Sequence, residues 1–156
     1  MGSGEPLSFN CRRRADLTLP IRPLRDRLRG RFHDRDRRRG GRERKLSHEK
    51  LDVYQVAVQF LAWSTRLTES FPRGHASLAD PLRRATLSIP LNIAEAGGKT
   101  TRTDSARYFS IARGSALECG AVLDACSILG LATIQQVEHG KNLLIRIVSM
   151  LSKLCR

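Results

Sequence analysis

Four polar side chains, Arg84, Ser88, Asn92 and Glu95, recur at spacings of four, four and three residues. That spacing places a guanidinium, a hydroxyl, an amide and a carboxylate in one row on a helix. Such a row can fix the register of packed helices or of a subunit interface, or it can line a groove for a ligand or peptide. A buried polar group without a partner costs about 1–3 kcal/mol, so partners are expected nearby.

Candidate hydrogen-bond partners for this row are Tyr108, Ser115 and Glu118 on the next predicted helix, and the guanidinium groups of Arg83, Arg84 or Arg113. We therefore interpret the row as one side of a structural polar network. The predicted network comprises Arg84, Ser88, Asn92, Glu95, Tyr108, Ser115 and Glu118.

Residues that commonly perform catalysis or bind metals form no recognisable set in this sequence. None of the four histidines stands four residues from another histidine or from a cysteine, the spacing by which one helix holds zinc. Ser-His-Asp and Cys-His combinations are not evident either. The run GGKTT at residues 97–101 lacks the glycine spacing of a phosphate-binding loop and follows a helix instead of a strand. The sequence therefore predicts no enzyme activity, no cofactor and no metal site.

Apolar periodicity divides residues 46–156 into four helices of about 20 residues each. The helices are predicted to begin at residue 47 or 48, 77 or 80, 103 or 104, and 133, and to end at residues 70, 97, 129 and 154. Short connections between helices of this length favour neighbours that run in opposite directions. The predicted fold is all-α, an up-and-down antiparallel four-helix bundle preceded by a disordered, arginine-rich N-terminal tail.

The second helix is the element around which this bundle is organised. Its predicted core stripe consists of Leu78, Leu82, Ala85, Ile89, Ile93 and Ala96. Pro90 falls inside this run, where it removes one helical hydrogen bond and costs about 3 kcal/mol in an ordinary helix. A helix that retains such a proline is kinked or broken in two. We predict a kink at Pro90 that serves a helix–helix or subunit contact.

The third helix carries many small residues in its middle, which allow a neighbouring helix to approach closely. Its predicted inward stripe consists of Tyr108, Ile111, Ala112, Ser115, Cys119, Val122, Cys126 and Leu129. The single tryptophan, Trp63 in the first helix, is interpreted as core or interface packing, with a base-stacking platform as the alternative.

The net charge of +13 over 156 residues is unevenly distributed. Residues 1–45 contain 15 Lys/Arg and 6 Asp/Glu, a net charge of +9, which leaves +4 for residues 46–156. Sparse apolar residues and frequent prolines favour disorder in residues 1–45. This tail is either an arginine arm for RNA or DNA phosphates, or a solvated tail or translated upstream sequence without a role.

Cysteine usage and hydropathy bear on where the protein works. The four cysteines form no CxxC pair, and we interpret them as reduced core thiols. No stretch approaches the roughly 18–20 apolar residues that cross a bilayer. The N-terminus has no apolar run typical of a signal peptide. The sequence therefore predicts a cytoplasmic protein without a membrane partner.

Several runs of this sequence also resemble one protein family. They are LDVY at residues 51–54, FP at 71–72, RRA at 83–85, SIPLNIAEAG at 88–97, YF at 108–109 and ARGSALE at 112–118. In this order and spacing they are similar to the four-helix-bundle family of 23S ribosomal-RNA intervening-sequence proteins, which includes the accessory variability determinants of diversity-generating retroelements. The resemblance covers residues 48–155.

The resemblance implies a small non-enzymatic bundle that assembles with itself into a five-membered ring. It also implies a basic surface for nucleic acid, RNA above all but also DNA, and a reverse transcriptase as partner in the retroelement branch. Carried onto this chain, it points to nine candidate nucleic-acid-binding residues: Arg66, Arg73, Arg83, Lys99, Arg102, Arg107, Arg113, Lys141 and Arg146. The alternative is a purely structural protein–protein interaction module whose charge is incidental.

Overall fold

Four α-helices follow one turn of 3₁₀-helix in a computed structural model that describes residues 45–156. The helices are α1 (Asp52–Glu69), α2 (Ala76–Gly97), α3 (Arg102–Ile128) and α4 (Ile134–Leu154), and the 3₁₀ turn is His48–Lys50. Short connections join helices that run in alternating directions, so the predicted all-α four-helix bundle is confirmed. The predicted disordered tail, residues 1–45, lies outside the described residues except for Lys45.

Local sequence explains how α3 ends and α4 begins. Gly130 follows α3 with a φ of +68°, a left-handed conformation that glycine adopts without steric cost. Thr133 then caps α4, because its hydroxyl accepts a hydrogen bond from the Gln136 N–H at 3.2 Å. The Gln136 side chain accepts in return from the Thr133 N–H at 2.8 Å. This reciprocal pair places the start of α4 where the sequence predicts it.

Two other helices begin at positions that differ from the prediction. α3 begins earlier because its capping residue is Thr101 and not Thr103; Thr101 Oγ1 accepts from the Asp104 N–H at 3.1 Å. α1 begins at Asp52, later than the predicted start at Ser47 or His48, since the intervening residues form the 3₁₀ turn. Neither difference changes the order or direction of the helices.

The core lies between the four helices. Trp63 of α1 is 1% exposed, and its ring centre lies 5.6 Å from that of Phe60, so core packing of this tryptophan is confirmed. The predicted core stripe of α2 is confirmed as well. Its buried members are Leu82, Ala85, Ile89, Ile93 and Ala96, and Leu78 packs against them while partly exposed.

The predicted inward face of α3 is confirmed at Ala112, Cys119 and Cys126, but the rest of the predicted stripe is rotated away from the buried face. The residues that α3 buries are Phe109, Ala112, Ala116, Cys119, Leu123 and Cys126. Ile111 and Leu129, both predicted to lie inside, are 44% and 59% exposed. The error has a physical cause: small residues occur all around this helix, so apolar bulk gives little contrast between its faces.

α2 continues unbroken through Pro90 from Ala76 to Gly97, so the alternative of a helix broken in two is wrong. Pro90 itself is buried. Proline lacks the N–H that would otherwise bond to the carbonyl of Thr86, one turn earlier. The helix is therefore held through this position by its packing and not by its own ladder of hydrogen bonds. The kink at Pro90 stays a prediction.

Candidate functional site

One hydrogen-bonded group joins α2 to α3 on a flank of the bundle. Asn92 Nδ2 donates to the carbonyl oxygen of Ser88 at 2.8 Å and to the Ser88 hydroxyl at 3.0 Å. The hydroxyl of Ser115 donates to Ser88 Oγ at 2.9 Å, so the group crosses between the helices. All three side chains are half-buried, which makes their mutual hydrogen bonds stronger than those of fully hydrated groups.

A second group brings Glu95 and Tyr108 together through Lys99, near the end of α2. Lys99 Nζ donates to Glu95 Oε1 at 2.6 Å and lies 4.6 Å from the centre of the Tyr108 ring. The hydrogen bond to Glu95 is the main reason that the pKa of Lys99 is raised above its ordinary value. Because this pair is open to solvent, its contribution to stability is small.

The remaining two members of the predicted network, Arg84 and Glu118, are exposed. Neither side chain forms a hydrogen bond or an ion pair within residues 45–156. The polar row of α2 therefore links to α3 at two places, and it leaves a guanidinium on the surface.

Three of the nine predicted nucleic-acid-binding residues are ion-paired inside the chain. Arg83 lies 3.5 Å from the carboxylate of Asp80. Lys141 of α4 pairs with Asp124 of α3, and Lys99 pairs with Glu95 as described. These three cations are partly neutralised before any ligand arrives.

Two further members of the nine, Arg66 and Arg102, donate hydrogen bonds to backbone carbonyl oxygens. Arg66 Nε donates to the carbonyl oxygen of Ala62 at 3.3 Å, and its Nη2 is buried. Arg102 Nη2 donates to the carbonyl oxygen of Arg156 at 2.9 Å, which ties the start of α3 to the last residue of the sequence. Neither guanidinium group is paired with an acidic side chain in the described part of the chain.

The other four predicted residues are Arg73, Arg107, Arg113 and Arg146. Arg113 is half-buried and the rest are exposed, and none pairs with an acidic side chain in the described part of the chain. Arg73 follows α1, whereas Arg107 lies near the start of α3 at the opposite end of the bundle. The nine residues are therefore spread along the whole length of the bundle.

Sequence reasoning missed a set of exposed apolar side chains beside the polar network. Leu87 and Leu91 of α2 are 47% and 58% exposed, and they lie one turn apart. Ile111 of α3 is 44% exposed and lies one turn before Ser115. The sequence did contain a sign of this surface. Leu87 and Leu91 lie outside the predicted core stripe of α2, yet they are as apolar as the residues of that stripe.

A shallow groove of about 270 Å³ opens on another flank, between α3 and α4. Its lining residues are Ala116, Leu117, Gly120, Lys141, Leu144, Ile145, Val148 and Ser149. Leu117 and Ile145 are 59% and 61% exposed. Lys141 is the titratable member of this lining and is already paired, so the groove offers apolar contact without a free acid or base.

The described residues offer little for metal binding or for catalysis by a thiol. Within residues 45–156, no group of three or more His, Cys, Asp or Glu side chains is placed to hold a metal ion. Burial raises the pKa of Cys119 to about 11, so this thiol is protonated at neutral pH and a poor nucleophile. None of the described helices has the length and apolar character required to cross a membrane.

Comparison with known proteins points in one direction. A family model described as 23S rRNA-intervening sequence protein matches residues 49–153. The fold is similar to a crystal structure of a protein with unknown function from the S23 ribosomal protein family of Bacteroides thetaiotaomicron. The two chains are 22% identical with a TM-score of 0.63, and the match covers 67% of this chain and 98% of the other. At that identity the likeness shows the fold alone. No curated protein matches the chain.

Proposed function

The chain belongs to the 23S rRNA-intervening sequence protein family, and from that membership we propose a non-enzymatic, nucleic-acid-binding accessory protein of the cytoplasm. RNA is the expected ligand, since the description of the family refers to ribosomal RNA. Copies of the chain are expected to form a homo-oligomer, a pentamer by the family resemblance. A reverse transcriptase of a diversity-generating retroelement is the candidate protein partner.

The excess of arginine without acidic partners carries the nucleic-acid proposal. The whole chain has a net charge of +13. Among the described residues, Arg73, Arg107 and Arg146 are exposed and pair with no carboxylate. A guanidinium group presents a planar set of donors that matches the oxygens of a phosphate. Such free groups favour binding to a phosphate backbone over a purely structural role.

Titration of the full-length chain with labelled single-stranded RNA at several salt concentrations tests this proposal. Each phosphate neutralised should contribute about −0.7 to the slope of log K against log salt concentration. We expect a steep negative slope. A slope near zero, or no binding at about 50 mM salt, contradicts the proposal.

Support for assembly comes from the α2–α3 flank. Because α2 and α3 are antiparallel and Ser88 meets Ser115, Ile111 lies level with Asn92. Exposed apolar side chains beside a half-buried polar group are typical of a surface that a second copy covers. Light scattering on the purified chain tests this, and a pentamer would have about five times the 17.5 kDa of one chain. A monomer at micromolar concentration contradicts it.

A purely structural interaction module remains the second candidate, and one observation favours it. Lys99, Arg83 and Lys141 are paired within the chain, so part of the charge serves the bundle itself. This candidate predicts assembly without RNA binding, which the same salt titration distinguishes.

A further inference from the structure

Three segments that are distant in sequence meet at one end of the bundle. They are residues 45–50, 98–103 and 153–156, and we call them the basic end. The hydroxyl of Ser47 donates to the carbonyl oxygen of Gly97 at 3.3 Å. On the other side of the α2–α3 loop, Arg102 Nη2 donates to the carbonyl oxygen of Arg156 at 2.9 Å. The loop thus connects the first described residues to the last ones.

This end is rich in cations. Its three segments contain one carboxylate and six cations: Lys45, Lys50, Lys99, Arg102, Lys153 and Arg156. Their side-chain charges sum to +5, and the carboxylates of Asp52, Glu95 and Asp104 adjoin these segments at the same end. The two connections at the opposite end, residues 70–75 and 129–133, contain one charged residue, Arg73.

Two carboxylates near the basic end, Glu49 and Asp104, are occupied by local contacts. Glu49 Oε2 accepts a hydrogen bond from the Leu46 N–H at 2.7 Å. Asp104 Oδ2 accepts from the Thr101 hydroxyl at 2.6 Å, as part of the cap of α3. Such carboxylates stay in place and compete little with an incoming anion for the exposed cations.

Both tyrosines of the chain also lie at this end. Tyr54, in the first turn of α1, meets the ring of His48 edge-on at a centroid distance of 4.7 Å. Tyr108 lies under the ammonium of Lys99. Both rings are half-exposed. Aromatic rings next to cations are the combination that single-stranded nucleic acids bind, through base stacking and phosphate contacts.

The arginine-rich part of the sequence is attached at the same end. Residues 1–44 contain 14 arginines and 6 acidic residues, and they connect to the bundle through Lys45. A polyanion bound at the basic end is therefore next to the point where this basic sequence begins.

We infer that the basic end is where a single strand of RNA contacts the bundle, with its phosphates on Lys50, Arg102 and Lys153 and a base on the ring of Tyr54. This inference rests on the proposed RNA-binding function and assigns it a place. The paired or isolated arginines on the flanks are secondary to it.

The test compares two triple variants of the full-length chain that lower the net charge equally. Lys50→Gln/Arg102→Gln/Lys153→Gln alters the basic end. Ala76→Glu/Ile134→Glu/Gln135→Glu adds charge to exposed first turns at the far end, where carboxylates suit the helix dipole. The probe is a labelled oligouridylate of about 20 nucleotides, long enough to span several binding positions.

We expect the basic-end variant to bind about tenfold more weakly at 0.1 M salt and its salt slope to lose about two units. The far-end variant should change affinity by less than about twofold, because charges farther away than about 10 Å are screened at this salt concentration. Equal losses in both variants, or no loss in either, overturn the location while wild-type binding upholds the function. No binding by the wild-type chain instead removes the proposed function itself.

Tyr54 permits a separate test of the stacking contact. Tyr54→Phe keeps the ring, and we expect unchanged affinity for the same oligouridylate. Tyr54→Leu removes the ring and should weaken binding by several-fold without changing the salt slope, since stacking releases no counterions. Equal affinity of the two variants, with matching thermal unfolding curves, contradicts the stacking role.

Photocrosslinking with 4-thiouridine in the same oligomer locates the strand directly. We expect crosslinked peptides that include Tyr54, Lys99 or Tyr108. Crosslinks confined to residues 1–44, or to residues 70–75 at the far end, overturn the inference.

Discussion

Gly140 is a residue whose lack of a side chain lets α4 pack against α1. A Cβ atom at this position would lie 2.8 Å from Leu123 Cδ1 and closer still to the ring of Trp63. Trp63 is 1% exposed and fixed among other core side chains, so it has little space to move into. Any side chain at Gly140 therefore has to displace the largest residue of the core.

We predict that Gly140→Ala lowers the free energy of unfolding by about 1–3 kcal/mol, the usual cost of overpacking a core. Chemical denaturation measures this change. Gly114→Ala is the matched control, because nothing lies within 4 Å of a Cβ atom there. In that open helical position alanine should be neutral or stabilising by up to about 1 kcal/mol. Similar effects of the two substitutions would contradict this account of the packing.

The buried thiol of Cys119 should make the folded chain less stable in alkaline solution. Burial raises the pKa of this thiol from 9.0 to about 11 in the folded chain. Between these two pH values the unfolded chain has lost a proton that the folded chain still holds. Stability is therefore complete below pH 9 and falls as the pH rises toward 11, by at most about 1.4 kcal/mol per pH unit for one group.

Denaturation curves recorded from pH 8 to pH 11 check this prediction. Cys119→Ala should show a flatter decline than the wild type, whatever its stability at neutral pH. Cys155→Ala, which removes a less buried thiol, should keep the wild-type decline. Parallel curves for the wild type and Cys119→Ala would show that this thiol does not contribute.

At the scale of single helices, α2 was predictable from sequence and α3 only in part. In α2 the large apolar residues Leu82, Ile89 and Ile93 all lie on one face, and Gly97 marks the end. In α3 the buried face includes Ala112 and Ala116, which differ little in bulk from the residues around them. The inward face of α3 is selected by its neighbours, so the sequence of α3 alone could not define it.

Pro90 tests what the middle of α2 contributes to assembly. We predict that Pro90→Ala weakens the proposed homo-oligomer, even though alanine restores the helical hydrogen bond to Thr86. The reason is that the backbone path at this buried position would change along with the flank that carries Leu87 and Leu91. Light scattering measures the outcome. Pro81→Ala, in the same helix, is the control and should leave the mass unchanged; an unchanged mass for Pro90→Ala would contradict the prediction.

At the scale of the whole molecule, the sequence did not reveal which residues that are distant along the chain lie close together in the fold. The sequence pairs Ser88 with Asn92 by helical spacing alone, and the predicted partner Ser115 does lie beside them. The basic end depends instead on residues 45–50, 98–103 and 153–156 meeting in space. Nothing in local periodicity relates those segments to one another, so nine separate cations were the most that sequence reasoning could offer.

The exposed apolar side chains of α2, Leu87 and Leu91, permit a test of the proposed assembly. Leu87→Glu/Leu91→Glu should dissociate the proposed homo-oligomer, because carboxylates cannot be buried between copies without a partner. Ile128→Glu/Ile134→Glu changes two residues that are 83% and 68% exposed at the far end, and it should leave the mass unchanged. Sedimentation velocity distinguishes these results. Assembly that survives the first variant would place the interface elsewhere.

The excess of cations at one end gives the molecule an electrical polarity along its helix axes. The electric field of a polyanion turns such a molecule during its approach, so that the basic end arrives first. The bundle would then stand upright on a nucleic acid instead of lying along it. In that posture its flanks stay clear of the strand, and neighbouring copies can line up side by side without competing with the ligand.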